Sequence, residues 1–285
     1  MTTRFAADLL QNIQTGMKSI CLLVVMLAVG ASAQAQEAQK PFEPVNGQAG
    51  KDVVWVPSPP AMVSKMLEMA QVTPKDFVMD LGSGDGRNII AAAKLGARAL
   101  GVEFNPAMVA LSRKLAAEAG VADQAQFVEG DMYAADISKA TVLALFLLPV
   151  NLNKLAPKFL DMQPGSRIAG NTFGIDGWEP DDRFTLDQSS DCSSWCEALL
   201  WIVPAKAAGT WQMANGTMTL TQEYQVITGT VTMDGATYTI PRSALHGVDI
   251  SFVAGGLNFI GRVNGNQIDG TITTPAGQLP WRASK

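Results

Sequence analysis

Residues 78–90, VMDLGSGDGRNII, set three glycines at alternating positions, Gly82, Gly84 and Gly86, just after Asp80 in an apolar run. Glycine tolerates φ > 0, so such a bend turns tightly and lets backbone approach a ligand closely. A dinucleotide fingerprint, G-x-G-x-x-G/A, would need a small residue where Arg87 stands, and no Gly-Lys-Ser/Thr follows to make a Walker loop. A Gly-x-Gly-x-Gly bend beside an acid favours a ligand without a pyrophosphate, such as a small zwitterion. A second acid, Glu103, ends the next apolar run 21 positions beyond Gly82. A carboxylate at a strand tip can accept both O–H groups of a cis-diol. Asp131 ends the third run.

These acids need strands to carry them. From 52 to 205 short apolar runs alternate with helical stretches: FVMDL (77–81), ALGVEF (99–104), AQFVEGD (125–131), TVLALFLLP (141–149) and RIAGNTF (167–173). The runs are continuously apolar, as strands covered on both faces are. The expected fold is α/β, a Rossmann-like, doubly wound, mostly parallel sheet. Val63, Met66, Leu67 and Ala70 share one helical face after PSPP. Asn105 can cap the next helix, with Pro106 in its first turn and Gly120 at its stop, and Asn151 or Asn153 is expected to start the helix carrying Leu155 and Phe159. RFTLDQ (183–188) and ALLWIVPA (198–205) read as a closing pair of strands. From 206 to 285 the helical period is lost, and short β-rich runs with hairpin signals at Asp234-Gly235 and Asn264-Gly265 indicate a small antiparallel meander, barrel or half-barrel. Its Trp211, Trp281, Tyr224 and Tyr238 are read as core in preference to a ligand platform, and His246 as a loop residue.

The first 35 residues are a different kind of segment. Lys18, the apolar run Ile20 to Val29 and GASAQAQ supply the charged, apolar and small-residue parts of a secretory signal peptide, and the run is too short to span a bilayer. The expected organisation is a signal peptide over 1–35, a catalytic domain over 36–205 and a β-rich domain over 206–285. The location is then periplasmic or secreted with no stable membrane span after cleavage, or cytoplasmic if translation begins elsewhere. Cleavage leaves Cys192 and Cys196, which could pair only in a turn, because residues four apart on a helix lie beyond disulfide reach. With one histidine and no second cysteine pair, no metal site is expected. A net charge of -5 argues against nucleic acid as a partner.

Asp80-Leu81-Gly82-Ser83-Gly84-Asp85-Gly86 resembles the first motif of class I S-adenosylmethionine-dependent methyltransferases. The resemblance covers roughly 52–205. It implies S-adenosyl-L-methionine as cofactor, held by Asp80, Gly82, Ser83, Gly84, Asp85, Gly86, Glu103, Asn105, Asp131 and Met132. Glu103 matches the acid for the ribose hydroxyls; Asp131 matches the acid for the adenine amino group, beside the Met132 backbone donor. Asp131 has a second reading as a helix cap, and Asp80 as a group that orients the glycine bend. VPSPPAMVSKML, LGSGDGRNIIAAAK, LFLLP and FGIDGWEPD look most like a bacterial branch related to the mitochondrial lysine methyltransferases that modify membrane proteins such as the c-ring protein of ATP synthase. Leu147, Leu148 and Pro149 lie where many relatives place polar residues, and are read as either substrate contact or core packing.

An activated sulfonium methyl asks for alignment and exclusion of water more than for a strong acid or base. No catalytic residue is therefore assigned. The acceptor is an amine or another nucleophile on a protein or small molecule, a protein lysine being one candidate. Asp176, Glu179, Asp181 and Asp182 either attract a cationic acceptor or form a solvated loop. Export would separate the enzyme from cytosolic cofactor, so an envelope binding module that keeps a nucleoside pocket without turnover stands as the alternative.

Overall fold

The computed structural model describes residues 42–187, 192 and 194–285, so the expected signal peptide over 1–35 lies outside the described residues. Five parallel strands build the sheet: β1 (Phe77–Leu81), β2 (Arg98–Glu103), β3 (Ala125–Glu129), β4 (Val142–Leu145) and β5 (Arg167–Asn171). Helices α1 (Pro60–Met69), α2 (Arg87–Lys94), α3 (Pro106–Glu118) and α4 (Pro149–Phe159) connect or flank them. β6 (Asp182–Thr185) and β7 (Glu197–Ile202) complete the order 3-2-1-4-5-7-6, with β7 antiparallel to both neighbours. Buried β1 and β4 lie at the centre, which is why their sequences are unbroken apolar runs.

The two edges of the sheet do different work. At the amino edge, the Arg167 guanidinium pairs with Asp76 and donates to the Ala70 carbonyl, while Thr141 donates to Asp76 at 2.7 Å. That network ties β1, β4 and β5 together where no ligand is needed. The carboxyl edge carries the glycine bend, Glu103 and Asp131 on successive loops. α4 starts at Pro149 with Leu148 as its N-cap, ahead of the expected Asn151 or Asn153. Proline has no N–H to satisfy at a first position, so the helix opens there, and both asparagines work inside it. Asn151 donates to the Tyr133 hydroxyl at 2.8 Å, and Asn153 donates to Asp176 at 2.7 Å.

The remaining strands, β8 (Gly209–Met213), β9 (Gly216–Glu223), β10 (Val226–Met233), β11 (Ala236–His246), β12 (Asp249–Ala254), β13 (Leu257–Asn264), β14 (Gln267–Thr274) and β15 (Gly277–Ser284), form a closed antiparallel barrel. Closure comes from the β15–β8 and β9–β10 pairings, leaving no open edge. Asp234 and Gly235 both have positive φ, as a two-residue hairpin requires. At the second signal the turn falls one residue later, on Gly265-Asn266, because Asn264 still pairs with Gln267. Inside, Phe252 stacks on Phe259 at 4.7 Å and both meet Trp281 edge-on, beside the fully buried Trp211. Trp281 and Trp211 donate their indole N–H groups to the Ile260 and Ala207 carbonyls. Those rings fill the barrel as expected, whereas Tyr238, read as core, is exposed on β11, and Tyr224 is half-buried against the sheet core and outside the barrel's own.

Pro44–Lys285 is one compact unit, and the sheet and barrel touch directly. Tyr224 stacks on Trp178 at 5.1 Å and donates to the Asp176 carbonyl; Gln225 donates to the Glu179 carbonyl at 2.7 Å. His246 ends β11 and sits 3.3 Å from Asp181, so it is a strand residue at this junction and not a loop residue. Asp181 also accepts the Ile202 N–H at 2.7 Å, and burial raises its carboxyl above the ordinary range. The 176–182 acids thus contribute to the sheet–barrel junction. Among the described residues no helix is long and apolar enough to cross a membrane.

Candidate active site

The glycine bend is fixed from three sides. Gly82 and Ser83 both donate their N–H groups to the Val102 carbonyl, at 2.8 and 3.1 Å. Ser112, on α3, donates to the Gly84 carbonyl at 2.8 Å. Glu103 accepts the Gly84 N–H through Oε2 and the Asn105 N–H through Oε1, each at 2.9 Å. Gly82, Gly84 and Gly86 have φ of +80°, +56° and +82°, the left-handed region where a Cβ is strained. One carboxylate therefore joins two loops, and each of its oxygens keeps a lone pair for a further donor.

A cavity opens over this bend. Asp80, Gly82, Ser83, Gly84, Asp85, Glu103, Asn105, Asp131 and Met132 all line it. Gly86 is not among its lining residues; it turns the chain into α2 as the N-cap. Asn105 lines the cavity while its side chain caps α3, accepting the Ala107 N–H at 2.9 Å. Asp85 is held by Arg87, whose Nε donates at 2.9 Å and whose Nη1 reaches the Ser58 carbonyl. Asp131 caps its own turn through the Tyr133 N–H at 2.8 Å and pairs with Lys51 at 2.6 Å. That hydrogen bond holds the Asp131 carboxyl below the ordinary range and the Lys51 ammonium above it. Phe146, Leu147 and Leu148 line the cavity too, although Leu147 is also buried in the sheet core, so both readings of LFLLP apply to it. The 176–182 acids do not line the cavity.

The sequence reading missed three parts of this site. Residues 48–58 form a strap across it, folded on itself by Gly47 N–H to the Trp55 carbonyl and Trp55 N–H to the Gln48 carbonyl. A Cβ on Gly84 would lie 2.6 Å from the Trp55 indole nitrogen, so strap and bend are in close contact. Asn88, on α2, donates to Asp80 at 2.9 Å. Trp195 enters from the turn before β7. The apolar DVVWV ahead of PSPP, with no helical or strand partner of its own, is the signal that could have found the strap.

Asp80 is the most perturbed carboxyl. Burial pushes it up to about 8, helped by the nearby Glu103 and Asp85 charges and opposed by the Asn88 hydrogen bond. Its Oδ1, the Ser83 hydroxyl and the Asn88 carbonyl oxygen are buried without a protein partner. Because the folded pKa lies above the ordinary 3.8, the folded chain holds a proton that the unfolded chain releases between pH 4 and 8. Stability therefore falls across that window, by up to about 1.4 kcal/mol per pH unit. Asp80→Asn should flatten this slope, so that the variant gains on the wild type from pH 5 to 8 in urea unfolding. Parallel pH profiles would refute the assignment.

Residues 80–182 match the ANTKMT methyltransferase domain family. A protein-lysine N-methyltransferase of Saccharolobus islandicus is 42% identical over 142 residues, 48% of this chain and 88% of that protein. The chain belongs to the ANTKMT methyltransferase family. Among its other relatives, the adenine nucleotide translocase lysine N-methyltransferase of Mus musculus is 32% identical over 45% of this chain, which spans 56% of that protein's length. The crystal structure of an RNA methyltransferase from Salinibacter ruber with S-adenosyl-L-homocysteine is 42% identical, covers 53% of this chain and 95% of that one, and has a TM-score of 0.48. As an ANTKMT-family enzyme the protein is an S-adenosylmethionine-dependent methyltransferase, and the site fits that cofactor. The orphaned Asp80 oxygen suits a donor such as an ammonium, and the Glu103 carboxylate, with a lone pair left on each oxygen, suits a diol.

Proposed function

We propose that this enzyme methylates a protein lysine, with Asp80, Gly82 to Gly84 and Glu103 holding S-adenosylmethionine and Asp131 and Met132 facing its base. The observation that carries the reading is a single cavity that joins the glycine bend and Glu103 to an aromatic mouth at Phe146, Phe173 and Trp195. When bound, the cofactor supplies an electrophilic methyl group. The chain supplies position and dryness. Holding reactants in line contributes roughly 7 to 11 kcal/mol, without a dedicated acid or base. A lysine entering an apolar mouth loses hydration, which lowers its pKa and favours the neutral amine that can react. With Asp80 protonated, the cavity lining still sets Asp52, Asp85, Glu103 and Asp131 against Lys51 and Arg87, a balance that attracts a cation first.

The relatives named for lysine methylation support this acceptor. The signal-like residues 1–35 support action on an envelope or secreted protein. The test is incubation of the purified protein with isotope-labelled cofactor and with separate envelope and cytosolic extracts, followed by peptide mapping. Labelled methyllysine, richest in the envelope extract, is expected. Label confined to nucleic acid, or to side chains other than lysine, would refute the acceptor. N-terminal sequencing of the fractionated protein tests the location, with a chain beginning near residue 36 in the periplasm expected.

A further inference from the structure

We infer that Phe146, Phe173 and Trp195 form the acceptor subsite, taking a side-chain ammonium and its methylated products against their rings, with the Cys192–Cys196 disulfide positioning Trp195. The inference rests on the amine-acceptor reading above and specifies how that amine is held. The three rings come from separate elements at one sheet edge. Phe146 follows β4, Phe173 follows β5 and Trp195 precedes β7. Phe146 lies parallel to Phe173, with centroids 6.1 Å apart, and meets Trp195 at 6.0 Å with planes inclined by 61°. All three line the cavity, and Trp195 is 41% exposed. An aromatic corner left open at the mouth of a negatively charged cavity attracts a cation by its ring faces. A neutral apolar group gains only the hydrophobic part.

The backbone is bent to put the rings there. Thr172 has φ +64° and Trp195 φ +57°, both in the left-handed region that costs about 1 kcal/mol or more for a non-glycine residue. Thr172 is held by its N–H to the Glu197 carbonyl, 2.7 Å, which also ties the Phe173 loop to β7. Cys192 and Cys196 bridge with Cα atoms 5.7 Å apart and enclose Trp195 in the turn that a helix would not allow. The disulfide closes the segment that carries the exposed ring, and neither cysteine lines the cavity, so its effect on the site passes through Trp195.

The experiment uses the full protein loaded with S-adenosylhomocysteine and two blocked peptides, one with trimethyllysine and one with its neutral tert-butyl isostere. The wild type should bind the cationic peptide several-fold more tightly. Trp195→Ala should remove that preference and raise the KM for a lysine peptide about tenfold, with S-adenosylhomocysteine affinity little changed. Trp195→Phe should restore most of it, and Cys192→Ser with Cys196→Ser should reproduce the KM effect. Equal binding of the two peptides by the wild type, or an unchanged preference in Trp195→Ala, overturns the subsite. A wild type that methylates no lysine refutes the acceptor reading by itself, and the peptide comparison still decides the subsite.

Discussion

Glu103→Ala is expected to weaken S-adenosylhomocysteine binding by about 3 kcal/mol, a hundredfold or more, measured by calorimetry. The size follows from how much one carboxylate does. It accepts the Gly84 and Asn105 N–H groups, and so fixes the glycine bend relative to the start of α3 before any ligand arrives. Charge-assisted hydrogen bonds contribute roughly 1.5 to 3 kcal/mol each, and the ribose hydroxyls would add theirs. Glu103→Gln keeps the shape and an acceptor but removes the charge, so it should lose about tenfold. A folded Glu103→Ala protein that binds within a factor of about three of the wild type would remove Glu103 from the site.

Gly86→Ala should cost about 2 to 5 kcal/mol of stability, read as a large drop in the thermal midpoint. Two effects combine. At φ +82° an alanine is strained, and its Cβ would stand 2.6 Å from the Phe127 ring and 3.0 Å from Ser112 Cβ. Phe127 and Ser112 are both buried, so neither can move aside cheaply. Gly120→Ala is the control: φ is +70° there, but nothing lies within 4 Å. It should lose only the backbone part, about 1 to 2 kcal/mol. Equal losses at both positions would show that crowding at Gly86 is unimportant.

What the sequence made legible follows from locality. Asp80 and Glu103 were visible because a continuous apolar run marks each of their strands without any tertiary knowledge. The run before Asp131 was expected to be covered on both faces, but β3 is an edge strand and only Ala125 and Phe127 are buried in it. Asn105 was visible as a cap because its partner, the Ala107 N–H, is two residues away. The contacts that went unread are long-range. Lys51 meets Asp131 across 80 residues, and no local pattern reports it. Asn88 sits on the face of α2 that points into the cavity, where a polar side chain at a buried position looks like any helix residue until Asp80 is placed beside it. The cysteine pairing was left open because it depends on whether 192–196 is helical. The two cysteines are bridged with Cα atoms 5.7 Å apart, and Trp195 between them has φ +57°, which is not helical. The 176–182 acids were read as either a cation lure or a solvated loop; the distant partners that decide it for Asp176 and Asp181 are Asn153, Ile202 and His246, while the Glu179 and Asp182 carboxylates meet the neighbouring Arg183. The barrel's first strand, Gly209–Met213, carries little signal because it is short and only Trp211 is buried in it. Closure depends on that strand, pairing with β15 and β9.

Diffraction from crystals grown with S-adenosylhomocysteine tests the central claim most directly. The account predicts density for the nucleoside in the cavity over Gly82 to Gly84, with the ribose hydroxyls on Glu103, the amino-acid end toward Asp80 and the sulfur facing Phe146 and Trp195. Density placed elsewhere, or a cavity still closed by the strap at saturating ligand, would contradict it.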